Sequence, residues 1–97
     1  MRYSIVIPTL NEESTLISNL KFLQSLKEKL EAEIIVVDGQ SCDKTKEIAR
    51  SLTDKIYDVN PSRSLQLNKG IMHADGEYYI FLHVDTICLL YTSDAAD

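Results

Sequence analysis

Apolar and polar positions along this chain fall into blocks whose period changes from one block to the next. Residues 3–8, from Tyr3 to Pro8, form a short apolar run closed by proline, which predicts a strand. Over residues 12–30 the spacing switches, with Leu16, Leu20, Leu23, Leu26 and Leu30 recurring every three or four positions as in an amphipathic helix. Asn11 stands in front of it as the expected N-cap. Residues 33–38 carry Ile34, Ile35, Val36 and Val37, β-branched throughout and not alternating, the pattern of a parallel strand covered on both faces. Gly39 is expected to turn the chain. Residues 43–52 predict a second helix with Thr45, Ile48, Ala49 and Leu52 inward, and residues 55–59 a third strand. After a loop at Asn60-Pro61-Ser62, residues 64–74 predict a third helix that stops near Gly76. Residues 77–83 predict a fourth strand around Ile80-Phe81-Leu82.

The order βαβαβαβ implies an α/β fold with a Rossmann-like, mostly parallel open sheet, because parallel neighbours need crossover connections and helices supply them. Ligands of such sheets bind beyond the carboxyl ends of the strands, where the strand order reverses. The polar chemistry of this chain collects at those ends: Thr9-Leu10-Asn11-Glu12 after the first strand, Asp38-Gly39 after the second, Arg63 after the third and His83-Val84-Asp85 after the fourth. Residues two apart on a strand share a face, so His83 and Asp85 are placed to address one metal ion or one ribose. The plainer alternative is that Asp85-Thr86 opens a loop or caps a following helix.

Composition narrows the possible ligands. Ninety-seven residues allow one small domain, which buries about 60–65% of the surface its unfolded chain exposes. The formal charge of −5, with no basic stripe, excludes a nucleic-acid partner, whose phosphates need Lys and Arg. Neither a leader peptide nor a transmembrane segment is visible, which leads to an expectation of a cytoplasmic protein. Cys42 and Cys88 are far apart and outside any C-x-x-C pair, so both are read as reduced thiols. No G-x-G-x-x-G follows the first strand and no G-x-x-x-x-G-K-[ST] occurs, so no glycine loop cradles phosphate. A divalent cation on Asp85, Mg²⁺ or Mn²⁺, is the economical substitute, since such ions take one or two carboxylates and complete their shell with diphosphate oxygens and water. Arg63 adds a positive group. A response-regulator reading fails at Pro8-Thr9, where acidic residues would be needed.

Three ordered motifs carry a resemblance: Ile5-Val6-Ile7-Pro8-Thr9-Leu10-Asn11-Glu12-Glu13, Ile35-Val36-Val37-Asp38-Gly39-Gln40-Ser41-Cys42-Asp43-Lys44-Thr45 and Phe81-Leu82-His83-Val84-Asp85-Thr86. In type, order and spacing they resemble the opening half of family 2 glycosyltransferases of the GT-A fold. The stretch Ser62-Arg63-Ser64-Leu65-Gln66-Leu67-Asn68-Lys69-Gly70 and the His-x-Asp-Thr ending resemble a small soluble bacterial subgroup of that family. The resemblance runs over residues 2–86. It implies that Pro8, Thr9, Leu10, Asn11 and Glu12 line a nucleoside pocket and that Asp38, beside Gly39, hydrogen-bonds the base or ribose of a nucleoside-diphosphate sugar. It further implies that Arg63, Gln66 and Asn68 form the donor-facing side of the third helix, with Arg63 nearest the nucleotide. Asp85 would be the metal ligand, and His83, standing where the commoner Asp-x-Asp pattern has its first acid, would contact the ribose. Plainer roles exist too: Asp38 closing a turn with Gly39, and Gln66 and Asn68 as solvated helix positions. Cys42 in place of the usual Thr and Lys44 in place of the usual Gly depart from the family pattern and bear on the geometry of the second loop.

The implied reaction moves a sugar from a nucleotide donor to an acceptor hydroxyl with inversion, the metal stabilising charge on the departing diphosphate. In the family the catalytic base and most of the acceptor pocket lie in the second half of the domain, so no residue of this chain is assigned as base. Cys88-Leu89-Leu90-Tyr91-Thr92-Ser93-Asp94-Ala95-Ala96-Asp97 fit no expected continuation and resemble translated sequencing-adapter read-through. The expected organisation is a truncated nucleotide-sugar-binding half over residues 1–87 and an artefactual tail over 88–97. Two other functions remain open: a nucleotidyltransferase, weakened by the missing glycine-rich loop, and a non-catalytic nucleotide-binding or interaction domain.

Overall fold

The structure, a computed structural model, describes residues 2–84. Its elements are β1 (Tyr3–Thr9), α1 (Glu13–Lys29), β2 (Ala32–Asp38), α2 (Thr45–Ala49), β3 (Lys55–Asp58), α3 (Arg63–Met72) and β4 (Tyr78–Phe81). The four strands form one parallel sheet in the order β3-β2-β1-β4, the α/β architecture that the alternation of periods predicts. Along β2, Ile34 and Val36 face the layer of α1 and α2, while Ile35 and Val37 face the layer of α3. All four are at most 1% exposed. Covering both faces is why the run is apolar at every position, and each such side chain stabilises the fold by about 1.5–3 kcal/mol.

The helices depart from expectation at their ends. Leu16, Leu23 and Leu26 of α1 are buried, with Leu20 and Leu30 packed at the margin. The predicted cap, however, is one residue early: Glu12 occupies the N-cap position and its side chain makes no cap bond there. The second helix is shorter than its apolar spacing suggests, because Ser51 and Leu52 donate to carbonyls only three residues back, Ile48 and Ala49, at 3.1 and 2.9 Å. Such bonds tighten the chain into a non-α turn. Leu52 is buried all the same. The third helix lies directly on β1: a Cβ added to Gly70 would stand 2.4 Å from Val6 Cγ1, so only glycine permits this approach.

At the amino ends of the strands, Glu33 of β2 gathers Ser4 of β1, Lys55 of β3 and Asp75 in the loop before β4. Its carboxylate accepts from Ser4 Oγ at 2.5 Å, from the Asp75 N–H at 2.6 Å and from Lys55 Nζ, which also pairs with Asp75 at 3.1 Å. Burial alone would push the Glu33 carboxyl up. The hydrogen bonds from Lys55, Ser4 and the Asp75 N–H, with the Lys55 charge, outweigh it and hold the group below its ordinary 4.5. Hydrogen bonding to Glu33, opposed by partial burial and helped by Asp75, holds Lys55 above its ordinary 10.5. The stabilisation from Glu33 is therefore complete above its ordinary value and is lost as the pH falls through the lowered one. That from Lys55 is complete below its ordinary value and is lost as the pH rises through the raised one. Thermal melts across pH should show a plateau bounded by these two limbs. Glu33→Gln should lower the plateau and flatten the acid limb, and acid limbs that superpose would rule Glu33 out as their source.

Candidate nucleotide site

The chain builds β1, β2 and β3 outward in one direction and then returns to place β4 on the other side of β1. The strand order thus reverses between β1 and β4, and a crevice at their carboxyl ends is where this architecture holds ligands. The register shows the crevice opening. Pairing of β1 with β4 runs from Tyr3↔Tyr78 to Val6↔Phe81, with the Leu82 N–H donating to the Val6 carbonyl at 3.0 Å. Peptide groups two residues apart face the same neighbour, so Pro8 comes next on that side, and it has no N–H to offer. Meanwhile β1 continues beside β2 as far as Thr9↔Asp38.

Beyond those strand ends two loops are zipped together by side chains of each bonding to the backbone of the other. Asn11 takes the left-handed conformation, φ 51°, which a short amide tolerates better than most side chains do. Its N–H donates to Ser41 Oγ at 2.8 Å and its Oδ1 accepts from the Cys42 N–H at 2.7 Å. The first N–H groups of α1 are satisfied from outside as well, Glu12 by Thr45 Oγ1 at 3.0 Å and Glu13 by Asp43 Oδ2 at 3.2 Å. Glu13 returns the contact by accepting from the Lys44 N–H at 3.2 Å. These bonds replace the cap expected of Asn11. The Thr45 hydroxyl, opposed by some loss of hydration and aided by the N–H groups of Thr45 and Glu13, holds the Asp43 carboxyl below its ordinary range. A carboxylate so kept also suits the positive end of α1. Neither departure from the family pattern disturbs the loop: Cys42 is exposed and contributes its backbone N–H, and Lys44 sits at φ −90°, where glycine is not needed.

Asp38 lies under this zipper, 0% exposed. Its Oδ1 accepts from Thr9 Oγ1 and Ser41 Oγ, each at 2.7 Å, and its Oδ2 accepts from the Ser41 N–H at 2.7 Å. The expected ligand-facing carboxylate is thus turned inward here, committed to the two loops. The turn it closes is made with Ser41. Gln40 takes the left-handed conformation in this turn, at φ 63°, and Gly39 serves by its smallness, since a Cβ there would stand 3.1 Å from Pro61 Cα. Of the first loop's expected pocket residues, Pro8 and Thr9 are buried, Glu12 is half-buried, and Leu10 and Asn11 are exposed at the rim.

The expected donor-facing side of α3 divides. Gln66 is 6% exposed and its Nε2 donates to the carbonyls of Thr9 and Val37 at 3.0 and 2.9 Å. Asn68, two positions on and about 200° round the helix, is exposed. The three residues therefore do not share one face. Arg63 opens α3, after a Ser62 N-cap that accepts from the Leu65 N–H; it is exposed and makes no ion pair with the described residues. His83 lies two residues past the end of β4, half-buried, between the buried Leu82 and Val84. Asp85, and with it the shared face expected of His83 and Asp85, lies outside the described residues, as does the 88–97 tail. No group of three or more His, Cys, Asp or Glu side chains gathers as a metal cluster among the described residues.

Ser41, Asp43 and Thr45 escaped the sequence reading as site builders. Their signal was present in the polar turn Ser41-Cys42-Asp43-Lys44-Thr45, whose residue types bond to nearby backbone.

Residues 4–90 match the family described as Glycosyl transferase family 2. The chain belongs to that family. Among curated members it is 32% identical over 92 residues to a dolichol-phosphate mannosyltransferase of Pyrococcus furiosus, covering 88% of this chain and 26% of that protein. Among solved structures it superposes on S. aureus TarS 1-349 with a TM-score of 0.73 at 27% identity, covering 98% of this chain and 32% of that one. The glucosyl-3-phosphoglycerate synthase from Mycobacterium tuberculosis, in complex with Mn²⁺, uridine diphosphate and glucosyl-3-phosphoglycerate, gives 0.72 at 26% identity over 86% of this chain and 33% of that one. The likeness to these solved glycosyltransferases bears out the expected GT-A type of fold. The chain spans about a quarter to a third of the length of these relatives.

Proposed function

We propose that this chain is the nucleotide-binding part of a glycosyltransferase that moves a sugar from a nucleoside diphosphate to an acceptor hydroxyl. The observation that carries the reading is the crevice between β1 and β4, flanked by the zipped loops, by Arg63 at the start of α3 and by His83. Support comes from structural relatives solved with UDP-GlcNAc and with uridine diphosphate and Mn²⁺. Leu10 and Asn11 offer the rim for the nucleoside, Arg63 a positive charge for the diphosphate and His83 a hydrogen-bonding group for the ribose. Asp85 is the carboxylate for a divalent cation; one protein carboxylate completed by diphosphate and water is an ordinary coordination for Mg²⁺, so a dense metal cluster is not required. When bound, the cation would stabilise charge on the leaving diphosphate. In the proposed step the acceptor oxygen bonds to the anomeric carbon with inversion. The bond to the diphosphate oxygen breaks with its electron pair, and the acceptor proton passes to a base outside this chain. A cytoplasmic location is part of this proposal. Among the described residues no helix is long and apolar enough to cross a membrane.

Titration of the full-length protein with a nucleoside diphosphate, with Mn²⁺ or with EDTA, tests the reading. Affinity should fall at least tenfold in EDTA, and Asp85→Ala should abolish the metal-dependent part. Equal affinity in both media would remove the cation and Asp85 from the site.

A further inference from the structure

We propose that Gln66 is a positioning residue, setting where α3 presents Arg63 to the diphosphate of a bound nucleotide; the proposal rests on the nucleotide reading above. A glutamine this buried must place its amide hydrogens, and here the Nε2 reaches the Thr9 carbonyl at 3.0 Å and the Val37 carbonyl at 2.9 Å. Those carbonyls belong to the carboxyl-terminal ends of two adjacent strands, β1 and β2. Thr9 O also accepts from the Gly39 N–H at 2.8 Å, so one cluster ties β1, the loop after β2 and α3 together. Shape reinforces it: a Cβ on Gly39 would stand 3.1 Å from Pro61 Cα and 3.4 Å from Gln66 Nε2, leaving no slack between that loop and the approach to α3.

One turn further along, Gly70 rests on Val6. Gly70 and Leu67 hold the helix on the sheet by contact, and Gln66 alone among the three holds it by directed bonds. Arg63 lies three residues before Gln66, on an adjoining part of the helix surface. Its own guanidinium makes no ion pair with described residues, so its position is inherited from the backbone that carries it. A loosened first turn would leave the charge present but its geometry dispersed, and binding would have to order it.

Isothermal titration of the full-length protein with uridine diphosphate and guanosine diphosphate, and with the matching nucleosides, tests this. Gln66→Ala should weaken diphosphate binding about tenfold, the scale of two net hydrogen bonds, and leave nucleoside binding unchanged. The double variant with Arg63→Ala should bind no more weakly than Arg63→Ala alone, because a residue acting through Arg63 has nothing to position once it is gone. Gln66→Met fills the same space without a donor and should reproduce the loss, deciding the matter if the alanine variant does not fold. Additive losses, equal losses for nucleoside and diphosphate, or wild-type affinity in Gln66→Met would each overturn the proposal while the nucleotide reading stands. Failure of the wild-type protein to bind any nucleoside diphosphate would overturn both.

Discussion

Asp38→Ala is expected to destabilise the folded chain by about 3–5 kcal/mol, the largest effect of any single substitution at the site. Three donors converge on this carboxylate, two hydroxyls and the Ser41 N–H. Hydrogen bonds to a charged acceptor contribute about 1.5–3 kcal/mol each, and donors left without a partner on burial add a penalty. The sum exceeds what one bond gives and falls short of simple addition, because Ser41 is only half-buried and water can reach it. Against a total stability of about 5–15 kcal/mol for a typical domain, this is a large share. Asp38→Asn keeps the shape, and both hydroxyls can rotate to accept from the amide, so its cost should be nearer 1–3 kcal/mol. Urea denaturation followed by circular dichroism separates the cases. A loss below about 1 kcal/mol for Asp38→Ala would mean that the carboxylate does not hold the loops together.

The second large effect concerns the outer edge of β4. Tyr78, Tyr79 and Phe81 are 52%, 47% and 39% exposed, and among the described residues no strand pairs with that edge. Unpaired backbone groups beside aromatic side chains are a template for another strand, and the curated and structural relatives are three to four times longer than the stretch matched here. The 97-residue chain on its own should therefore elute as concentration-dependent oligomers and transfer no sugar. A Tyr79→Lys and Phe81→Lys pair, charging one face of the edge, should move it toward monomer. Size-exclusion chromatography with light scattering reads this out. A stable monomer with transferase activity, free of any partner, would show that the edge does not govern the chain.

The fold was legible because its strands are buried on both faces. A run such as Ile34-Ile35-Val36-Val37 leaves the chain few alternatives, and the four leucines of α1 fix its period. The ends of elements were harder to read. Whether Asn11 caps its own helix or holds the Cys42 N–H depends on a loop thirty-one positions away, which no local pattern encodes. Site residues split in the same way. Motif spacing located the strand ends well, yet a polar residue looks alike in a sequence whether it faces a ligand or the protein. The family resemblance sets Asp38 and Gln66 toward a donor; in the structure both are buried, Asp38 accepting from Thr9 and Ser41 and Gln66 donating to the carbonyls of Thr9 and Val37. Arg63 and Asn68 remain at the surface.

The interlocking of the first two loops bears on attempts to change donor preference by exchanging loops between proteins. Residues 10–13 present an amide oxygen, a carboxylate and backbone donors shaped to residues 41–45, and those residues present the complementary set in return. A transplanted first loop would meet foreign acceptors unless the second travelled with it. The smallest graft that keeps its own geometry is a pair of segments thirty residues apart, together with the buried aspartate on which both are seated. Recombination at a single crossover between them divides that pair, whereas crossovers on either side deliver it whole.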